Sequence, residues 1–128
     1  MEFFAHNKDQ LSQWLYNSNI HDSILVSCCY NICDKSLYVE AWNPIFDEKI
    51  SFVFRDILYI CFEKKDEYEF DRDSWKTIGS LTLEPIESCK EQFGCHISTD
   101  ASMAVYLVFQ FLSGSELHVV SKGCQGDG

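Results

Sequence analysis

The stretch Ile20-His21-Asp22-Ser23-Ile24-Leu25-Val26-Ser27-Cys28-Cys29-Tyr30-Asn31-Ile32-Cys33-Asp34-Lys35-Ser36-Leu37-Tyr38-Val39-Glu40-Ala41-Trp42 carries the clearest pattern in the chain. From Ile24 the even positions (Ile24, Val26, Cys28, Tyr30, Ile32) are drier than the odd ones, the period-2 signature of a half-buried strand. After Asp34-Lys35 the parity switches, and Leu37, Val39 and Ala41 become the apolar set. A two-residue connection at Asp34-Lys35 pairs Ile32 with Leu37, Tyr30 with Val39 and Cys28 with Ala41. All the apolar positions then share one face. Asp-Lys is a poorer hairpin turn than Asn-Gly, so this register rests on the pattern rather than on the turn.

Working outward, the N-terminal side holds a helix. Asn7 is a candidate cap with Gln10 three residues on, and Leu11, Trp14 and Leu15 fall on one helical face. The polar run Asn17-Ser18-Asn19 ends it. On the C-terminal side Asn43-Pro44 breaks the second strand. A third strand follows with Ile50, Phe52 and Phe54 on one face, then a corner at Arg55-Asp56-Ile57, then a fourth with Leu58, Ile60 and Phe62. Phe52, Phe54 and Phe62 are the expected core anchors. Residues 81–84 form a short strand stopped by Pro85, and residues 87–93 a helical turn ended by Gly94. Residues 103–112 are apolar on both faces, which predicts a central strand covered on both sides. A three-residue loop at residues 113–115 pairs Phe111 with Leu117 and Phe109 with Val119, leaving Glu116 and His118 on the outer face beside Gln110. The last strand spans residues 117–121. The expected organisation is one domain over residues 1–121 with a Gly-rich, frayed tail at 122–128.

Composition narrows the function classes. A chain of 128 residues, 46% hydrophobic and 15% aromatic, has material for one real core and is not disordered. No apolar stretch reaches transmembrane length, and residues 1–6 lack the basic start and apolar run of a signal peptide. A cytoplasmic location is expected, with no membrane partner. The net charge of −10 disfavours DNA or RNA as a direct ligand. It suits the opposite role, filling the basic cleft of another protein. The seven cysteines are an odd number and are read as free thiols in a reducing compartment.

His21-Asp22-Ser23, followed by Tyr30 and Leu37-Tyr38-Val39-Glu40, resembles small uncharacterised bacterial proteins of the immunity type, which neutralise toxins of polymorphic toxin systems. The run from Ile50 to Phe62 and the closing Ser113-Gly114-Ser115-Glu116-Leu117-His118-Val119 are similar to the same families. This chain has Asp56 where those families often place Gly in a strand-to-strand corner. The resemblance implies action by binding, with no catalytic residue to carry over.

Two candidate contact surfaces follow. The first is the acidic and aromatic segment containing Asp66, Glu67, Tyr68, Glu69, Phe70, Asp71, Asp73 and Trp75, whose aromatics suit an interface. Its spacing is not that of a calcium loop. The second is the outward row Tyr38, Glu40 and Trp42. His21 and Asp22 form a candidate polar site at the mouth of the first strand; the alternative is a turn in which Asp22 or Ser23 bonds nearby backbone. Phosphate-binding, nucleophile-elbow and zinc-protease motifs are lacking. Cys89, Cys95 and His96 do not have zinc-site spacing. No catalytic residue, cofactor or metal site is therefore expected. The fold class is α+β: a twisted, mainly antiparallel sheet of about six to eight strands with an N-terminal helix packed on it. The leading function is an immunity-type protein that blocks a cognate toxin, with nucleases among the candidate toxins. The alternatives are a ligand-binding domain or enzyme with a pocket at His21 and Asp22, and a structural subunit of a homo-oligomer.

Overall fold

Among the described residues the periodicities resolve into seven strands and two helices. The structure is a computed structural model describing residues 2–65, 76–94 and 104–127. In chain order it runs β1 (Glu2–Phe4), a 3-10 turn (Ala5–Asn7), α1 (Lys8–Asn17), β2 (Ile24–Asn31), β3 (Ser36–Asn43), β4 (Glu48–Glu63), β5 (Ile78–Glu84), α2 (Ile86–Phe93), β6 (Val105–Phe111) and β7 (Glu116–Asp127). The strands form one antiparallel seven-stranded sheet in the order β2-β3-β4-β7-β6-β5, with β1 added on β7 beyond the end of β6. The expected α+β class with an N-terminal helix on the sheet is what the chain adopts.

The sheet is open but pinched at one corner, where its two outermost strands meet. Asp22 N–H donates to the Ile78 carbonyl, Ile78 N–H to the Ser23 carbonyl and Leu25 N–H to the Lys76 carbonyl. One face curls around α1. Leu11 and Leu15 of the helix are buried there with Leu37, Val39, Ala41, Ile50, Phe52, Phe54, Leu107 and Phe109. The Trp14 ring meets Phe52 edge-on at 5.2 Å, and Phe52 meets Phe109 edge-on at 5.9 Å, arrangements that suit the ring quadrupoles. The opposite face of β6 and β7 lies under α2, where Ile86 and Cys89 pack on Tyr106, Val108 and Val120. The two-sided cover expected for residues 103–112 is thus supplied by one helix on each face of β6. Gly94 ends α2 in the left-handed region, at φ 60°.

Several expectations need correction. Both hairpins are slipped by two residues. Tyr30 pairs with Leu37 and Cys28 with Val39, because the ladder ends at the Asn31–Ser36 pair: the Asn31 side-chain oxygen accepts from the Cys33 and Asp34 N–H groups, an Asx turn that lengthens the connection. Likewise Phe109 pairs with Leu117, with the Gly114 N–H donating to the Phe111 carbonyl in a longer turn. A two-residue slip leaves the faces unchanged, which is why Leu37, Val39 and Ala41 still point into the core. The apolar set expected for this strand is not buried: Val26 is exposed where the ladder bulges between Leu25 and Ser27, Ile32 is exposed in the turn beyond Asn31, and β2 is an outermost strand. The third and fourth strands are one strand, β4. Asp56 sits within it at φ 53°, and the Ile57 N–H donates to the Lys35 carbonyl. Asp56 is thus a bend in a continuous strand rather than a corner. Phe62, beyond that bend, is 53% exposed and is not a core anchor.

The largest correction concerns the C-terminus. Residues 122–127 are not a frayed tail but the second half of β7, paired with β4 on one side and β1 on the other. The glycines there permit close approach rather than freedom. A Cβ on Gly126 would lie 2.7 Å from the Trp14 ring, and one on Gly123 would lie 2.8 Å from the Phe4 ring. Phe3 and Cys124, opposite each other in the β1–β7 ladder, are both buried.

Two outcomes follow for stability. Gly126→Ala forces Trp14 off Phe52 and destabilises the fold by about 1–3 kcal/mol, read as a lower urea midpoint. Phe52→Ala costs about 3–5 kcal/mol, whereas Phe62→Ala costs less than about 1 kcal/mol; equal losses would refute the assignment of their positions.

Candidate functional site

Among the segments predicted to make contacts, Asp66, Glu67, Tyr68, Glu69, Phe70, Asp71, Asp73 and Trp75 lie outside the described residues, as do Cys95 and His96. The remaining candidates are placed. The odd-even alternation of β3 sends Leu37, Val39 and Ala41 inward, and therefore sends Tyr38, Glu40 and Trp42 outward. Cross-strand pairing lines these up in rows: Cys29–Tyr38–Val53, Ser27–Glu40–Ser51 and Ile24–Trp42–Lys49. Neither core cluster includes Tyr38 or Trp42, and both are more than one-third exposed.

Local bonds hold this outer surface in shape. Glu40 accepts from Lys49 Nζ at 2.6 Å, which raises the Lys49 ammonium above its ordinary value, through the hydrogen bond first and the carboxylate charge second. The Trp42 indole N–H donates to Asp47 Oδ1 at 3.0 Å. That bond fixes the indole against the β3–β4 turn, where Ile45 and Phe46 are exposed at 70% and 58%. The turn itself is made by Asn43, whose Oδ1 accepts from the Ile45 N–H and whose amide donates to the Asn19 carbonyl. The outer face of β3 and the turn after it thus expose Tyr38, Trp42, Ile45 and Phe46, with the Glu40–Lys49 pair between Tyr38 and Trp42.

His21 and Asp22 are placed in the pinch between β2 and β5. Asp22 adopts φ 64°, a left-handed conformation that Asp tolerates better than most residues, and its N–H bonds Ile78. The His21 ring nitrogen Nδ1 bonds the Gly79 carbonyl. Ser23 Oγ donates to the Asn19 carbonyl at 2.7 Å. The His21 ring, the Asp22 N–H and the Ser23 hydroxyl thus all bond backbone carbonyls, only that of Asn19 being close in sequence.

A second polar site lies under α2. Alternation along β7 puts Glu116, His118 and Val120 on the outer face, opposite Gln110, Val108 and Tyr106 of β6. Glu63 and Cys61 of β4 flank them on the other side. The His118 ring is buried, with Phe93 of α2 edge-on at 4.7 Å. Its Nδ1 is 2.6 Å from the Tyr106 hydroxyl. Nε2 lies 3.2 Å from Glu63 Oε1 and 3.3 Å from Glu116 Oε1. A trough of ≈ 200 Å³, lined by Thr82, Glu84, Ser88 and Gln92 among others, opens beside it. The position of Glu116 and His118 beside Gln110 was legible from alternation; the joining of Glu63 to them was not, because it depends on the β4–β7 register.

Cys61 of β4 is the cysteine that stands opposite His118 in the β4–β7 ladder. Cys29 lies on β2, three strands from His118 on β7. Cys28, Cys29 and Cys33 are exposed free thiols. Burial pushes the Cys124 thiol up to about 12 from an ordinary 9.0, so it stays neutral and unreactive.

No family model matches the chain, and no curated protein matches it. Among solved structures it is similar to the crystal structure of an uncharacterized protein from Neisseria gonorrhoeae, with a TM-score of 0.57 and 12% identity over 84% of this chain and 92% of that chain. That likeness is one of fold. No helix among the described residues is long and apolar enough to cross a membrane.

The Cys124 shift sets a pH dependence. A thiol whose folded value lies above its unfolded one stabilises the fold fully below the unfolded value, and that contribution is lost as pH rises through the folded value. Stability should fall between about pH 9 and 12, with a shallower fall in Cys124→Ala, read from denaturation midpoints. At pH 8, alkylation of the native protein should label the exposed Cys29 and Cys33, label Cys28 more slowly because burial and then the neighbouring Cys29 raise its thiol, and spare Cys124; rapid labelling of Cys124 would contradict its placement.

Proposed function

We propose that the protein acts by binding, as an immunity-type protein that neutralises a cognate bacterial toxin domain by direct contact in the cytoplasm. The observation that carries this reading is the outer surface of β3 and the turn after it, where Tyr38, Trp42, Ile45 and Phe46 are each exposed. Aromatic side chains held in one orientation are the usual anchors of a protein interface, and the Trp42–Asp47 bond supplies that hold. The net charge of −10 argues for a basic partner, drawn in by long-range attraction. A toxin with a basic cleft, such as a nuclease, has that charge. The acidic segment from Asp66 to Trp75 supplies a second part of the contact in this reading.

Affinity purification of the full chain from its own host, with Tyr38→Ala and Trp42→Ala as controls, tests it. The expected result is one stoichiometric basic partner, toxic when expressed alone and harmless when co-expressed with this protein. Each variant should weaken that complex by at least tenfold while keeping its denaturation midpoint within about 1 kcal/mol of the parent. Self-association alone, or a partner that is not toxic, would overturn the immunity reading. Undiminished binding in both variants would move the contact off the β3 surface.

A further inference from the structure

The site under α2 is separate from the proposed docking surface and has its own unsolved electrostatics. Glu63 and Glu116 are directly opposite each other in the β4–β7 ladder, and like charges in that relation destabilise a sheet. Both are nevertheless held in place by donors behind them. Gln92 of α2 donates to Glu63 Oε1 at 3.2 Å, and Gln110 donates to Glu116 Oε2 at 2.8 Å. Each carboxylate presents an oxygen to the same point, where His118 Nε2 stands.

That nitrogen is buried and has no hydrogen-bond partner. The two glutamate oxygens are within ion-pair distance, at 3.2 and 3.3 Å, but neither lies in line with the direction in which a ring N–H would point. Buried polar atoms are rarely left this way without a reason. The other ring nitrogen, Nδ1, faces the Tyr106 hydroxyl. When Nδ1 carries the proton and donates it to the Tyr106 oxygen, Nε2 presents a bare lone pair between two carboxylates. A metal-ligating histidine is oriented in this manner by a bond from its second nitrogen.

The spacings fit an ion. Donor atoms about 2.0–2.2 Å from a tetrahedral zinc stand roughly 3.3–3.5 Å apart, close to the two separations from Nε2. The three donor atoms all lie within 4.8 Å of one another. We propose that Glu63, Glu116 and His118 bind one divalent transition-metal ion of the zinc type. One imidazole with two carboxylates suits such an ion better than magnesium or calcium, which take oxygen ligands. Three protein ligands leave a fourth position, and the adjoining trough has room for an exogenous ligand there.

The test is calorimetric titration of Zn²⁺ into the full chain carrying Cys28→Ser, Cys29→Ser and Cys33→Ser, so that exposed thiols do not take the ion. The same chain with Glu63→Gln, Glu116→Gln or His118→Gln added is titrated in parallel, with the fold of each checked by circular dichroism. One equivalent should bind to the parent and raise its Tm. Each glutamine variant should bind at least tenfold more weakly and lose most of that rise. Glu63 and Glu116 are partly exposed, and glutamine keeps an oxygen for Gln92 or Gln110, so these two variants decide the matter if His118→Gln does not fold. A folded parent that binds no Zn²⁺, or binding undiminished in both glutamate variants, overturns the site.

Discussion

The structure depends on β7 being paired along its whole length. Its first half joins β6 and β4, and its second half joins β1 and β4. Through it the β2-β3-β4 half of the sheet is bonded to the β6-β5 half. The same strand supplies side chains to both layers, with Val119 and Cys124 in the cluster under α1 and Val120 in the cluster under α2. A strand covered on both faces and bonded on both edges has little tolerance for added atoms. That explains glycine at the two points where Phe4 and Trp14 lie against its backbone.

The two helices divide the molecule unequally. α1 fills the concave side of the sheet, and α2 covers the convex side of β6 and β7. Neither reaches the convex side of β3, so Tyr38 and Trp42 remain at the surface. The proposed docking surface and the Glu63–Glu116–His118 cluster are therefore consequences of one arrangement: the convex face is covered where His118 lies and bare where Trp42 lies. Coverage buries the His118 ring, while the two facing carboxylates beside it keep partial contact with solvent.

Much of this was legible in the sequence, for physical reasons that differ from element to element. The spacing of Leu11, Trp14 and Leu15 fixed the helix and its buried face, since only a 3.6-residue period brings them together. The two-sided apolar run around Leu107 and Val108 fixed a central strand with cover on both sides. Side-chain direction was recoverable in β3 and β7, because parity survives a two-residue slip, but not along β2, where the bulge after Leu25 leaves Ile24 in the outward row. The registers were not, since Asn31 ends its strand by a side-chain bond that periodicity does not encode. The pairing role of residues 122–127 was hidden because glycine reads locally as freedom, while at Gly126 it serves contact with a helix more than a hundred residues earlier in the chain. For the same reason half of the α2-side cluster could be read and half could not: Glu116 and His118 share a strand, but Glu63 arrives from β4.

The pinch between β2 and β5 has a further meaning. An open sheet ends in strands whose outward N–H and C=O groups can template a strand from another chain, which is how β proteins aggregate. At this corner residues 22–25 and 76–78 satisfy one another instead, and the Leu112 N–H closes on the Thr77 carbonyl beside them. His21 and Asp22 supply the bonds and the left-handed turn that make the join possible. Without closing into a barrel, the sheet thus has the start of each outer strand covered by the other, and the His-Asp-Ser turn removes that stretch of edge from reach of another chain.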